Sequence, residues 1–430
     1  LLIKRGTIWW PFFAFAVIGA FTLLTPFKTL NAQELGLSKS ESDTTIGCLF
    51  PMSGRAGVLG RDSVLGVRLA MKYLETQLSS DRPRLRVLIG DTKSKLSNAT
   101  ALAKRFIDVE GASFLCGVVN SSVAIEVSSI AKSAGVFFVG TDHASSRLTG
   151  EFLHDRYFRV TNDTRQSMTA GALFIQDYFS DHLAEKPLRI SYVGPDYEYG
   201  YQVWADFREA LDRLGVAYEI IGVLWPRLSE PDYSRYINEL IRQKPDIVLN
   251  SLWGGDFVAF VTQATDTELF EKSRFANFEK GGDYEIFAEL GSKMPLGLLL
   301  SSRHHNNWPD TEFNQWFVEE FHREAGYFPS SGAQGAFTGI VAISEVLKKV
   351  GTNHRNSGAI IKAFEELGLT VPEDPEGFQS SMDANSHQIR QVMAIGETVL
   401  DDRYPPAKVM LGNWHIYYPD QLEGETSRRN

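Results

Sequence analysis

Thr44-Thr-Ile-Gly-Cys-Leu-Phe50, followed at once by Pro51-Met-Ser-Gly54, is the stretch on which the reading of this chain turns. Seven residues, mostly apolar and bounded by a Pro/Gly loop, suit a strand buried on both faces. Beyond the loop, Val64, Val67, Met71, Leu74 and Leu78 recur at helical spacing, which predicts a helix over 63–78. The same alternation continues outward. Strands are expected at 84–89, 113–119 and 136–140, with helices at 98–109 and 123–134 between them. It then restarts, with strands at 188–193, 218–223, 246–249 and 274–277 and helices at 200–214, 233–242 and 257–265. Strict alternation of this kind gives parallel sheets covered by helices on both faces, so the fold class is α/β. Two lobes of similar plan follow, near 43–160 and 163–290. Helices at 311–325 and 336–350 must pack onto them. The segment 372–385 reads as irregular, and 388–395 and 414–418 as strands.

Composition limits the function classes. The 430 residues are 43% hydrophobic and 22% charged, with only two cysteines, so disorder and a disulfide framework are excluded. Lys plus Arg number 43 against 53 Asp plus Glu, a formal charge of −10, with no basic stripe, which argues against nucleic acid as a partner. Residues 1–32 hold Lys4, Arg5 and Lys28, no acid, and a largely apolar run from Ile8 to Leu24. That is the pattern of a secretory signal peptide, with cleavage expected near Ala32. An uncleaved membrane anchor is the alternative, since 17 residues is near the lower limit for spanning, but Pro11 and Thr25-Pro26 weaken a span. No cysteine follows it to carry a lipid. An oxidising compartment permits one bridge between Cys48 and Cys116; two buried free thiols suit the same residues equally well.

The order of short motifs resembles a known family. In the first half these are 46–54 (IGCLFPMSG), 60–70, Gly90-Asp91 ahead of 101–106, and 117–124 (GVVNSSVA). In the second they are Tyr199-Gly200, Lys244-Pro245-Asp246, Trp253-Gly-Gly-Asp256 and 275–281, with Met382-Asp-Ala-Asn-Ser-His387 and Ile395-Gly-Glu397 near the end. Together, over about 44–418, they resemble the periplasmic substrate-binding proteins of branched-chain amino-acid ABC transporters and their amide- and urea-binding relatives. The resemblance implies a two-lobed type I binding protein that closes on its ligand, with three linking strands as a hinge. It also implies that about 292–350 returns to the first lobe and that 350–420 is shared between lobes and hinge.

Candidate ligand residues follow from the resemblance, each with an ordinary structural role beside it. Ser121 and Ser122 lie between a strand and a helix start, where hydroxyls and free N–H groups hold a carboxylate; either also suits a helix cap. The loop Gly140-Thr-Asp-His-Ala-Ser-Ser146 places Asp142 and Ala144 at family ligand positions, with Ser145 adjacent. Ala144 lacks the usual hydroxyl, so Ser145 substitutes for it or the ligand is not an ordinary α-amino acid; Asp142 suits a turn equally well. Tyr199 and Trp253 match aromatic positions that cover the ligand, though Trp253 also suits helix-end packing against Phe257. Glu279 matches an acid that pairs with the ligand ammonium, where a surface carboxylate is the ordinary role, and Leu59 a position often held by a ring.

Enzymatic signatures are missing: no G-x-x-x-x-G-K-[ST], H-E-x-x-H or G-x-S-x-G occurs. Asp142-His143 beside a serine is no evidence for a spatial triad. His304-His305 sit side by side, flanked by Arg303, Asn306 and Asn307 that read as solvated, so no metal site is expected. The expected function is that of a monomeric, periplasmic solute-binding protein without catalytic residues or cofactor. Its ligand would be an amino acid with an apolar side chain, or an amide, urea-like or aromatic acid solute, handed to an ABC permease of the inner membrane. A ligand-sensing module working through a membrane receptor is the alternative.

Overall fold

The computed structural model describes residues 33–39, 44–54, 56–76, 83–353 and 355–423. The expected signal peptide, 1–32, lies outside the described residues. Among those described, no helix is long and apolar enough to cross a membrane.

The first sheet grows around the strand read first, Thr44–Phe50 (β2), every residue of which is buried. It pairs in parallel with Leu85–Asp91 (β3) and Phe114–Gly117 (β4), and Phe137–Gly140 (β5) and Tyr157–Arg159 (β6) continue the parallel order. Gln33–Gly36 (β1) closes the β3 edge antiparallel, giving the order β1-β3-β2-β4-β5-β6. Helices Gly57–Thr76 (α1), Leu96–Asp108 (α2) and Ser121–Ala134 (α3) connect these strands. Helix α1 begins six residues before the apolar spacing does, because its first turn carries Gly57 and Gly60, poor helix formers held by packing.

The chain crosses at 160–163 into the second lobe, through helices Thr164–Tyr178 (α4) and Ser180–Glu185 (α5). Strands Leu188–Val193 (β7), Tyr218–Leu224 (β8), Ile247–Asn250 (β9), Arg274–Asn277 (β10) and Leu299–Ser301 (β11) follow. Helices Glu198–Leu214 (α6), Ser234–Gln243 (α7), Gly254–Ala264 (α8), Leu269–Lys272 (α9) and Tyr284–Leu290 (α10) lie between them. Helices Glu312–Ala325 (α11), Ser331–Val350 (α12) and Ser357–Glu365 (α13) then return to the first core, where Phe317, Phe321, Ile340 and Phe364 are buried with Ile46 and Val87. The return expected from about 292 therefore begins only near 312: Leu299 and Leu300 pair with Glu397 and Gly396 in the second sheet.

Within the stretch expected to be irregular, Ser380–Met382 (β13) forms a small sheet with Gly368–Leu369 (β12) and Ile389–Arg390 (β14). The strand expected at 388–395 divides at a third crossing, 391–392. Met393–Leu400 (β15) and Val409–Tyr417 (β16) then complete a second sheet of order β16-β15-β11-β10-β9-β7-β8, and Pro419–Leu422 (α14) ends the described chain. Close helix packing holds the first lobe: a Cβ on Gly66 of α1 would lie 2.0 Å from the Ala333 carbonyl oxygen of α12, so only glycine fits.

Cys48 and Cys116 stand opposite one another on β2 and β4 and form a disulfide, Cα atoms 4.4 Å apart, closing a sequence separation of 68 residues. A loop of that length gives about 4 kcal/mol in the chain-entropy model. The Cys48→Ala/Cys116→Ala double variant should lose stability of that order in urea unfolding; a loss below about 1 kcal/mol would show that packing alone holds the two strands.

Candidate functional site: the cleft between the lobes

Both sheets aim the carboxyl ends of their parallel strands at one cleft. In each, the strand order reverses beside one strand, β2 in the first lobe and β7 in the second, and a crevice opens at such a point. Helix starts sit at this edge. Asn120 caps α3 by accepting from the Val123 N–H, and Tyr197 and Trp253 stand in extended conformation at the caps of α6 and α8.

The loop after β5 is held rigidly at the cleft floor. Arg159, fully buried, donates to the carbonyls of His143 and Ser145 at 3.3 and 2.9 Å and to Gln388 Oε1 at 2.7 Å, tying the loop to the residue that precedes β14. Ser121 Oγ accepts the backbone N–H groups of Ala144 and Ser145 at 3.4 and 3.3 Å. Ser145 Oγ and Arg147 reach across the cleft to Glu198 of α6, each at 2.8 Å. Beside them Ser146 and Thr164 donate to Asp206 at 2.8 and 2.5 Å. His143 is engaged on both ring nitrogens, by the Val118 carbonyl and the Tyr157 hydroxyl, and burial pushes its pKa well below the ordinary value. It is a neutral core residue.

Between the lobes lies a buried network of charges. Arg303, on the segment after β11, donates to Glu279 Oε2 at 2.5 Å and to Asp142 Oδ1 at 3.0 Å. Lys280 Nζ lies 2.7 Å from Asp142 Oδ1 and 3.2 Å from Asp283 Oδ2. Tyr199 and Ser167 hydroxyls complete the Glu279 carboxylate at 3.3 and 3.0 Å. Burial works against the charges of Arg303 and Lys280, but the facing carboxylates outweigh it and raise both. Asp283 is lowered because Lys280 and Ser331 outweigh its burial.

Val119, Asp142 and Ala144 of the first lobe, with Tyr197, Tyr199, Trp253, Lys280 and Arg303, line a narrow cavity of about 10 Å³, room for roughly one water. Next to it a cavity of about 190 Å³ runs between Pro51, Gly54, Val118 and Asn120 on one side and Leu228 and Trp253 on the other. An apolar cavity of about 150 Å³ takes a benzene ring, so a ring-sized body fits here.

The fold brings Asp142, Ala144, Tyr199 and Trp253 together in one lining, with Ser121, Ser145 and Glu279 directly behind it. Ser122 is exposed on α3, and the cap belongs to Asn120 rather than to either serine. Leu59 is buried in the apolar cluster that includes Ala56, Ala144 and Met168. Of the residues read from sequence as solvated, Arg303 and Asn306 are buried and Asn307 is half-buried, and His304 and His305 are buried with them, because the segment 302–311 runs between the lobes. His304 Nδ1 meets Glu373 at 2.6 Å, and no metal-holding group occurs among the described residues. Lys280, Arg303 and Tyr197 escaped the sequence reading. Lysine and arginine are ordinarily surface residues, and no spacing links 142, 279, 280 and 303.

A family model described as periplasmic binding protein matches residues 43–403. The chain belongs to the periplasmic binding protein family. Its two-lobed α/β fold is that of a type I binding protein. It is 22% identical over 380 residues to the Leu/Ile/Val-binding protein homolog 7 of Brucella abortus, covering 85% of this chain and 91% of that protein. It also superposes on the solute-binding protein of an ABC transporter from Rhodopseudomonas palustris, solved with 3,4-dihydroxybenzoic acid. There the TM-score is 0.76 at 19% identity, over 87% and 97% of the two chains. For a leucine-binding protein of Thermotoga maritima the TM-score is 0.72 at 17% identity, over 88% and 99%.

Burial raises Asp206 from 3.8 to about 6, partly offset by the Thr164 and Ser146 hydroxyls. A raised carboxyl contributes stability that is complete below its unfolded value and lost as pH rises through the folded one. The binding protein should therefore lose about 2–3 kcal/mol relative to its Asp206→Asn variant between pH 4 and 7 in denaturant unfolding. A gap that stays constant with pH would refute this.

Proposed function

We propose that this binding protein captures a small organic carboxylate with a ring-sized apolar body between its lobes, outside the cytoplasm, and hands it to an ABC permease. The observation that carries the reading is the hydrogen-bond census of the narrow cavity. Arg303 has five N–H donors and Lys280 three, and the bonds to Asp142, Glu279 and Asp283 leave hydrogens unspent on both. On the acceptor side Asp142 Oδ2 alone lacks a partner among these four residues and Asp283. Unspent donors outnumber acceptors, so the complementary ligand end is rich in acceptors: a carboxylate, with one donor turned to Asp142. Tyr197, Tyr199 and Trp253 supply apolar faces beside it, and the 190 Å³ cavity supplies the room. The Rhodopseudomonas neighbour, solved with a hydroxylated benzoic acid, supports the same ligand class.

An apolar α-amino acid is the second reading, favoured by the unpartnered Asp142 Oδ2 and by relatives named for leucine, isoleucine and valine. Against it, the place beside Glu279 expected for the ligand ammonium is taken by Arg303.

Thermal unfolding of the purified protein against hydroxybenzoates, Leu, Ile, Val, Phe, amides and urea separates the two. A ligand at 100 times its Kd adds about 2.7 kcal/mol. Hydroxybenzoates should raise the Tm, and Arg303→Met should abolish that shift. A shift with Leu, Ile or Val alone, lost in Glu279→Gln, would replace this reading with the amino-acid one; no shift with any carboxylate would overturn it.

A further inference from the structure

Asp283 stands outside the lining of either cavity, yet it ties the two lobes together. It precedes α10 in the second lobe and is 1% exposed. Its Oδ1 accepts the Ser331 N–H at 2.9 Å and the Ser302 hydroxyl at 3.0 Å; its Oδ2 accepts the Ser331 hydroxyl at 2.8 Å and faces Lys280 at 3.2 Å. Ser331 is the first residue of α12, a 20-residue helix of the first lobe, and its positive end suits a carboxylate. Lys280 closes the circuit by reaching Asp142, also of the first lobe, at 2.7 Å. The connection therefore runs from Asp142 to Lys280 to Asp283 to the start of α12, crossing between the lobes twice, and all four residues are buried.

A buried carboxylate is stable only while its partners are in place, and removing one leaves an uncompensated charge. Parting the lobes takes Ser331 from Asp283 and Asp142 from Lys280 in the same movement. The two contacts form and break together. Ser302 follows β11 on the segment, 302–311, by which the chain returns from the second lobe to α11 of the first, so the carboxylate also touches a stretch about which the lobes would turn.

We infer that Asp283 is a positioning residue. It holds the Lys280 ammonium over the cleft and latches the start of α12, so that ligand capture and lobe closure are coupled through one carboxylate. The part concerning Lys280 rests on the carboxylate reading above; the latch does not. In this arrangement the latch and a bound carboxylate favour the same closed form.

The test measures the interlobe distance in the full chain, between spin labels on Ser129→Cys of α3 and Glu209→Cys of α6. Without ligand, the parent should show one short distance. Asp283→Asn should move most of the population to a longer one, Ser331→Ala part of it, and the exposed Lys349→Gln none. With 4-hydroxybenzoate as probe, Asp283→Asn should raise Kd about tenfold. A folded Asp283→Asn protein with the parent distance distribution overturns the latch. Should that variant fail to fold, an unchanged distribution in Ser331→Ala overturns it instead. If the parent does not bind 4-hydroxybenzoate, the ligand reading falls while the distances still decide the latch.

Discussion

A guanidinium removed from water must find its counter-charges within the protein, and Arg303, 5% exposed, finds them on both sides of the cleft. Asp142 comes from the first lobe and Glu279 from the second. Open lobes would leave Asp142 without Arg303 and Lys280, so the charges that make the cleft polar also hold it shut. Further cross-lobe contacts, from Ser145 and Arg147 to Glu198 and from Ser146 to Asp206, flank this network on one loop. That loop is itself kept in place by Arg159, whose bonds to two loop carbonyls and to Gln388 connect the cleft floor to the start of β14.

Selectivity in such a site depends on which hydrogen-bonding groups remain unspent. Glu279 has lost its freedom to Arg303, Tyr199 and Ser167, and Ser121 has spent its oxygen on the N–H groups of Ala144 and Ser145. On the proposed carboxylate reading, the positions that family resemblance gives to a ligand ammonium and carboxylate serve as scaffold instead. On that reading, the groups that meet the ligand include Arg303, Lys280, the Trp253 indole N–H and one oxygen of Asp142, beside a wall of aromatic rings.

Much of the framework was legible in the chain because it depends on local pattern. The buried run 44–50 and the helical spacing after it specify a strand–helix unit, and its repetition on either side of about 160 specifies two lobes of parallel sheet. Where the reading went astray, long-range pairing overrode the local signal. Leu299–Ser301 joined the second sheet through β10 and β15, and the strand read at 388–395 broke where the chain crosses between lobes. The two cysteines left bridge and thiols equally open until the register of β2 and β4 set them face to face.

By itself, then, the sequence determined the α/β class, the two-lobed plan and the strand-end loops that face the cleft. These follow from hydrophobic period and turn residues within some twenty positions of one another. The tertiary structure alone decided how the cleft is charged. Asp142, Glu279, Lys280, Asp283, Arg303 and Ser331 are spread across nearly two hundred positions with no shared spacing. Read in the chain, charged residues point to solvent. Only the folding of a crossing segment between two lobes removes the water and makes each of them choose a partner.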